Sequence, residues 1–280
     1  MAGFPIRALA LGLALTVASV QIGVAQTAPE AQPTPPPRSG VAMPQWARPD
    51  PIVTEGVIED EAVQAVKDMS NYLMSLNTIG ITSVGSLDVV TNDGQRIQLD
   101  GTTNYKVRKP GFVIDYVSDQ KSRRFIYDGK SFTVYSPKLG FYAQAPAPAT
   151  NKEVLDAIYE KFGISLPLVD FLRWGDGENA DRIQALKSAY EVGTATVDGV
   201  DTDHFAFREA DVDWEIWIQK GDQPLPRKLV IVDRSQGTHP TFTSRLNWQV
   251  NPAYTDSDFA FVPDADAKRI QLATYKGPGE

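Results

Sequence analysis

Residues 211–233, "DVDWEIWIQKGDQPLPRKLVIVD", decide how the rest of the chain is read. Trp214, Ile216 and Ile218 alternate with Glu215, Trp217 and Gln219, so the segment has the period of an extended strand with one apolar face. After "KGDQPLP", the run Lys228–Val232 reads as a second strand. Both prolines fall in the connection, where a missing N–H costs no ladder bond. The stretch is a β-hairpin with a greasy face and a mixed face.

The same pattern repeats outward. "TIGITSVGSLDVVT", the turn Asn92–Gly94 and "RIQLDGTTNYKVRKP" form a long hairpin. "GFVIDYVS", "RFIYDG", "SFTVYSP" and "GFYAQAP" follow as short strands, with a tight turn at Asp128-Gly129. Strands resume at "YEVGTATVDG" and "DTDHFAFREA" and end with "TFTSRLNWQV".

Helical periodicity occurs in two places. In 58–77, Ala62, Val66, Met69, Leu73 and Leu76 recur at spacings of three and four, behind an acidic start at Glu59, Asp60 and Glu61. Between 151 and 189, "NKEVLDAIYEKFG", "LPLVDFLRW" and "NADRIQALKSA" read as short helices. A long antiparallel meander with few helices predicts an α+β fold, a curved half-barrel of about eleven strands with helices covering its concave face.

Residues 1–25 carry Arg7 and an apolar run from Ala8 to Val20, then small residues ahead of Gln26. This is the pattern of a cleaved signal peptide, with cleavage expected before Gln26. Residues 26–54 are rich in Pro and Ala and read as a disordered linker, leaving a single domain over 55–280. The chain contains no Cys, so it has neither a disulfide nor a lipid-modified cysteine, and a periplasmic, non-lipoprotein product is expected. The net charge of −8 argues against nucleic acid as a partner.

Signatures of catalysis are sparse. His204 and His239 are the only histidines, and no G-x-S-x-G elbow or phosphate-cradling loop occurs. Strand alternation separates His204 from Asp201 and Asp203, so no metal site forms there and the imidazole is expected to be exposed. "WGDGENAD" lacks the spacing of a calcium loop. Asp211, Asp213 and Glu215 lie along one strand rather than across a cleft, which does not suit glycoside hydrolysis. No catalytic residue, cofactor or metal is expected.

What remains is an apolar surplus in phase on the strands: Phe112, Ile114 and Tyr116; Phe125; Phe132 and Val134; Phe205 and Phe207; Trp214 and Ile216. Either these pack a solid core or they line an apolar cavity suited to an acyl chain.

"DVDWEIWI", "PLPRKLVI", "RKPGFVIDYVS", "FIYDGKSFTVYSP", "FYAQAPAP", "GISLPLVDFL" and "DFAFVPDADAKRI" together resemble the periplasmic lipoprotein carriers of the LolA/LolB-like superfamily. They are most similar to a secreted bacterial family of unknown function near that fold. The resemblance implies an eleven-stranded half-barrel with a hydrophobic cavity for lipid moieties. The carriers place an Arg before the Pro of the "KP" strand, where it helps control opening; here Lys109 fills that position, preceded by Arg108, and is the gating candidate. The expected function is non-enzymatic binding of a lipid or a lipoprotein's acyl chains by a monomer. The alternative is an envelope sensor that uses the same cavity or sheet to recognise a protein partner.

Overall fold

The computed structural model describes residues 56–164, 166 and 183–272. The expected signal peptide, the linker, the expected helix "LPLVDFLRW" apart from Leu166, the first four residues of "NADRIQALKSA" and the whole of "WGDGENAD" lie outside the described residues.

Twelve strands form one sheet. In chain order they are β1 (Ile79–Val90), β2 (Arg96–Arg108), β3 (Gly111–Ser118), β4 (Ser122–Tyr127), β5 (Ser131–Ser136) and β6 (Phe141–Pro146). After them come β7 (Ser188–Val197), β8 (Val200–Arg208), β9 (Val212–Gln219), β10 (Pro226–Asp233), β11 (Thr241–Val250) and β12 (Lys268–Arg269). Their order in the sheet is β12-β6-β5-β4-β3-β2-β1-β11-β10-β9-β8-β7. Every pairing is antiparallel except that of β12 with β6. The α+β architecture is the one expected, with an open sheet ending at β7 and β12. The twelfth strand, only two residues long, escapes sequence periodicity.

Two α-helices of more than one turn lie among the described residues: α1 (Asp60–Ser75) and α2 (Asn151–Phe162). The first helix buries Ala62, Val66, Met69 and Leu73, as its spacing predicts. Just before it, Ile58 bridges Ala189 on edge strand β7; just after it, Ile79 opens β1. Those strands are five steps apart, roughly 24 Å at normal strand spacing. Sixteen helical residues span about the same distance. The helix therefore lies across the strands of this half of the sheet.

Thr150 and Glu153 close a capping box at the start of α2: the Thr150 hydroxyl accepts from Glu153 N, and Glu153 accepts from Thr150 N. Gly163, in the left-handed region at φ 64°, ends the helix. Val154 and Ile158 of α2 join α1 and one face of the sheet in a single core cluster.

The opposite face carries a smaller core. Residues 251–269 run back over β2 to β6 as a strap. Phe259 is fully buried against Val113 and Ile126, with Tyr254 and Phe261 beside it. Lys106 and Arg108 on β2 pair with Asp258 and Asp256 of the strap, at 2.7 and 2.5 Å.

Candidate functional site: the helix-covered face of the sheet

Strand register sorts the helix-side residues of β1–β6 into three rows. The first runs Ile79, Val107, Phe112, Tyr127, Phe132, Ala145. The second, two residues further along each strand, runs Ile81, Tyr105, Ile114, Phe125, Val134, Ala143. The third runs Ser83, Thr103, Tyr116 and Arg123, then Ser136 and Phe141. The face thus passes within about 14 Å from an apolar floor to a polar margin.

Seven of the ten residues expected to line a cavity belong to the larger core cluster, and two more pack against it. Phe112, Ile114, Phe132, Phe205, Phe207, Trp214 and Ile216 are fully buried against the helices. Phe125 and Val134 are only partly buried, and so is Tyr116, which lies outside the cluster. Tyr116 leans over Gly101, where a Cβ would stand 2.8 Å from its ring. Phe125 stacks on Phe132 at 6.4 Å between centroids. Tyr116, Phe125 and Val134 therefore form a half-open strip beside a sealed core.

In the other half of the sheet, Phe205 stands opposite Ile216, and Phe207 opposite Trp214. The Phe207 and Trp214 rings stack at 3.9 Å with 8° between planes. Trp217 points to the opposite face, as alternation requires. It is sandwiched there between the His204 ring, at 3.8 Å, and Lys228 Nζ, 4.0 Å from its centroid. His204 also reaches Glu215 at 2.8 Å. Its side chain is 15% exposed, so the expected open imidazole is in fact covered. The cause is the register of β8 and β9, which sets His204 directly against Trp217.

The β2–β3 turn joins the sheet to both helices. Lys109 Nζ donates to the carbonyl oxygen of Met74 in the last turn of α1. Asn151, the first residue of α2, donates to Arg108 O at 2.7 Å and accepts from Gly111 N at 2.8 Å. At Gly111 a side chain is excluded twice over, because φ is +135° and a Cβ would meet the Arg108 side chain at 2.9 Å. The gating candidate thus sits in a turn that contacts both α1 and α2.

Polar groups enter the covered face in a few places. Ser83 and Ser244 share a hydrogen bond of 2.5 Å within the core. Burial pushes the Tyr105 hydroxyl well above its usual pKa, although a hydrogen bond with Thr103 acts the other way. Asp201 and Asp203 keep clear of His204, engaging Thr196 and Lys220.

Arg123 was missed by reasoning from aromatic stripes. Its signal is present in "SRRFIY", where Arg123 shares phase with Phe125 and Tyr127 while Arg124 does not. Arg124 points to the opposite face and holds Asp115 through two bonds, at 2.5 and 3.0 Å. Arg123 donates to the Ser136 hydroxyl at 2.6 Å and to the Ser122 carbonyl at 2.9 Å.

The model of a family described as predicted periplasmic protein (DUF2092) matches residues 62–273. No curated protein is significantly similar to the chain. An uncharacterized conserved protein from Thermus thermophilus is similar in structure, with a TM-score of 0.44 and 10% identity over 76% of this chain and 99% of the other. The lipoprotein LppX of Mycobacterium tuberculosis gives 0.43 and 11% identity, over 70% and 99% of the two chains. MucB of Pseudomonas aeruginosa, in the complex of MucA and MucB, gives 0.39 and 13% identity, over 75% and 63%.

Proposed function

The chain belongs to this family of predicted periplasmic proteins, and from that premise we propose that it is a non-enzymatic envelope protein that holds an acyl chain against the helix-covered face of its sheet. The carrying observation is the strip Tyr116, Phe125 and Val134. It is apolar, only partly buried, and continuous through register with the sealed rows beneath α1 and α2. Burying about a dozen methylenes there contributes roughly 10 kcal/mol, which offsets the cost of ordering one chain.

Access is governed by the helices, because the floor residues are already covered. A chain enters along the strip and deepens its contact as the helices yield about the turn that holds Lys109 and Asn151. Within the same reading, residues 1–25 act as the export signal and 26–54 as a tether.

Native mass spectrometry tests this on protein expressed with its full sequence and purified without detergent. Added mass that extracts as lipid is expected, and Phe125→Asp or Val134→Asp should remove it while leaving a folded protein. Both positions are half-open, so a carboxylate there can stay hydrated. A clean protein that takes up no palmitate would sink the reading and turn attention to a protein partner.

A further inference from the structure

We propose that Arg123 is the headgroup anchor of this site, so that the occupant is an anionic amphiphile rather than a neutral lipid. The inference rests on the acyl-binding reading and adds the chemical class of the ligand and its orientation.

Three observations carry it. First, Arg123 projects to the helix-covered face in the same strand phase as Phe125, at the boundary where the apolar rows give way to the polar one. Second, its partners are neutral: the Ser136 hydroxyl and the Ser122 carbonyl. Among the described residues no carboxylate pairs with it, whereas Arg124 next to it has Asp115 on both branches of its fork. Third, both hydrogen bonds use the same terminal nitrogen, Nη1, leaving Nη2 and Nε as donors for a carboxylate or phosphate. Beside a low-dielectric floor, a guanidinium without a counter-ion favours an anion more than one in open water would.

The geometry also sets direction. One row step is about 7 Å, so a head on Arg123 places the first methylenes over Phe125 and Val134, with the tail running toward Phe132 under the helices. Tyr116 stands opposite Arg123 in the register and walls the head on its other side.

The test compares palmitate, 1-palmitoyl lysophosphatidate and hexadecanol as ligands of the full-length protein and of Arg123→Gln, by titration calorimetry. The anchor predicts that an anionic ligand binds the wild type at least tenfold more tightly than hexadecanol. Arg123→Gln should erase that preference, so that the anions bind the folded variant no more tightly than hexadecanol does, and Arg123→Lys should restore part of it. Whichever anionic ligand binds more tightly identifies carboxylate or phosphate as the preferred head. If the wild type binds all three equally, or Arg123→Gln keeps the preference, the anchor is wrong although acyl binding stands. If none of the three binds, the acyl-binding reading itself has failed. Competition by inorganic phosphate as strong as that by lysophosphatidate would also overturn the proposal, since the site would then bind bare anions.

Discussion

Lys109 Nζ donates to the carbonyl oxygen of Met74, so a side chain of the β2–β3 turn supplies the cation that the last turn of α1 lacks. The last carbonyls of a helix carry partial negative charge and have no intrahelical donor. Lys109→Met keeps the aliphatic stem and removes the charge. We expect a loss of about 1 kcal/mol, seen as a lower melting temperature with faster hydrogen exchange concentrated in α1. An acyl probe should also dissociate faster. Unchanged exchange in α1 would mean that the contact does not hold the helix.

Asn151 ties α2 to the same turn by donating to Arg108 O and accepting from Gly111 N. Asn151→Asp can still accept but cannot donate, while Asn151→Ala does neither. Each bond is worth about 1 kcal/mol, so alanine should cost about twice as much as aspartate in denaturant unfolding. Equal losses would show that only the bond to Arg108 O matters.

The strap is held in a pH-dependent way. Lys106, then the Thr255 backbone and hydroxyl, lower the Asp258 carboxyl from its ordinary 3.8 to about 2. A depressed folded-state pKa adds stability that is fully present above 3.8 and is lost as pH falls toward 2. Protection of residues 251–269 against hydrogen exchange, taken relative to the intrinsic rate at each pH, should therefore fall across that window, and Asp258→Asn should remove the pH-dependent part. A strap whose protection is flat between pH 4 and about 2 would refute the linkage.

Trp217 is clamped from both sides on the opposite face. Trp217→Leu removes the stack on His204 and the cation over the ring, a combined cost of about 1–2 kcal/mol. Lys228→Met removes only the cation–π contact and should cost about 0.5–1 kcal/mol. A double-mutant cycle checks the partition. A Trp217→Leu variant as stable as the wild type would show that neither contact carries structural weight.

Strand phases were legible wherever apolar residues alternate, as in "DWEIWI" and "GFVIDY", because the side a residue faces in a strand is a property of the local backbone. The strap was not. Residues 251–269 show no period, and their order comes from single anchors such as Phe259, Tyr254 and Asp258 meeting a face built more than a hundred residues earlier. Tyr116 and Phe125 have the same phase as their fully buried neighbours Ile114 and Tyr127, yet end half-open. Alternation assigns a side of the sheet; where the helices stop covering that side is outside its reach.

The sequence by itself determined the strands β1 to β11, the amphipathic face of α1 and the split of Trp214 from Trp217, because each follows from a period of two or 3.6 acting over a few residues. Only the tertiary structure decided that Arg123 lies beside Tyr116 and Ser136, that Lys109 reaches Met74, and that His204 is covered rather than open. Those relations depend on register between strands and on the path of a helix across the sheet. Both are fixed by packing between segments distant in the chain, on which local periodicity has no bearing.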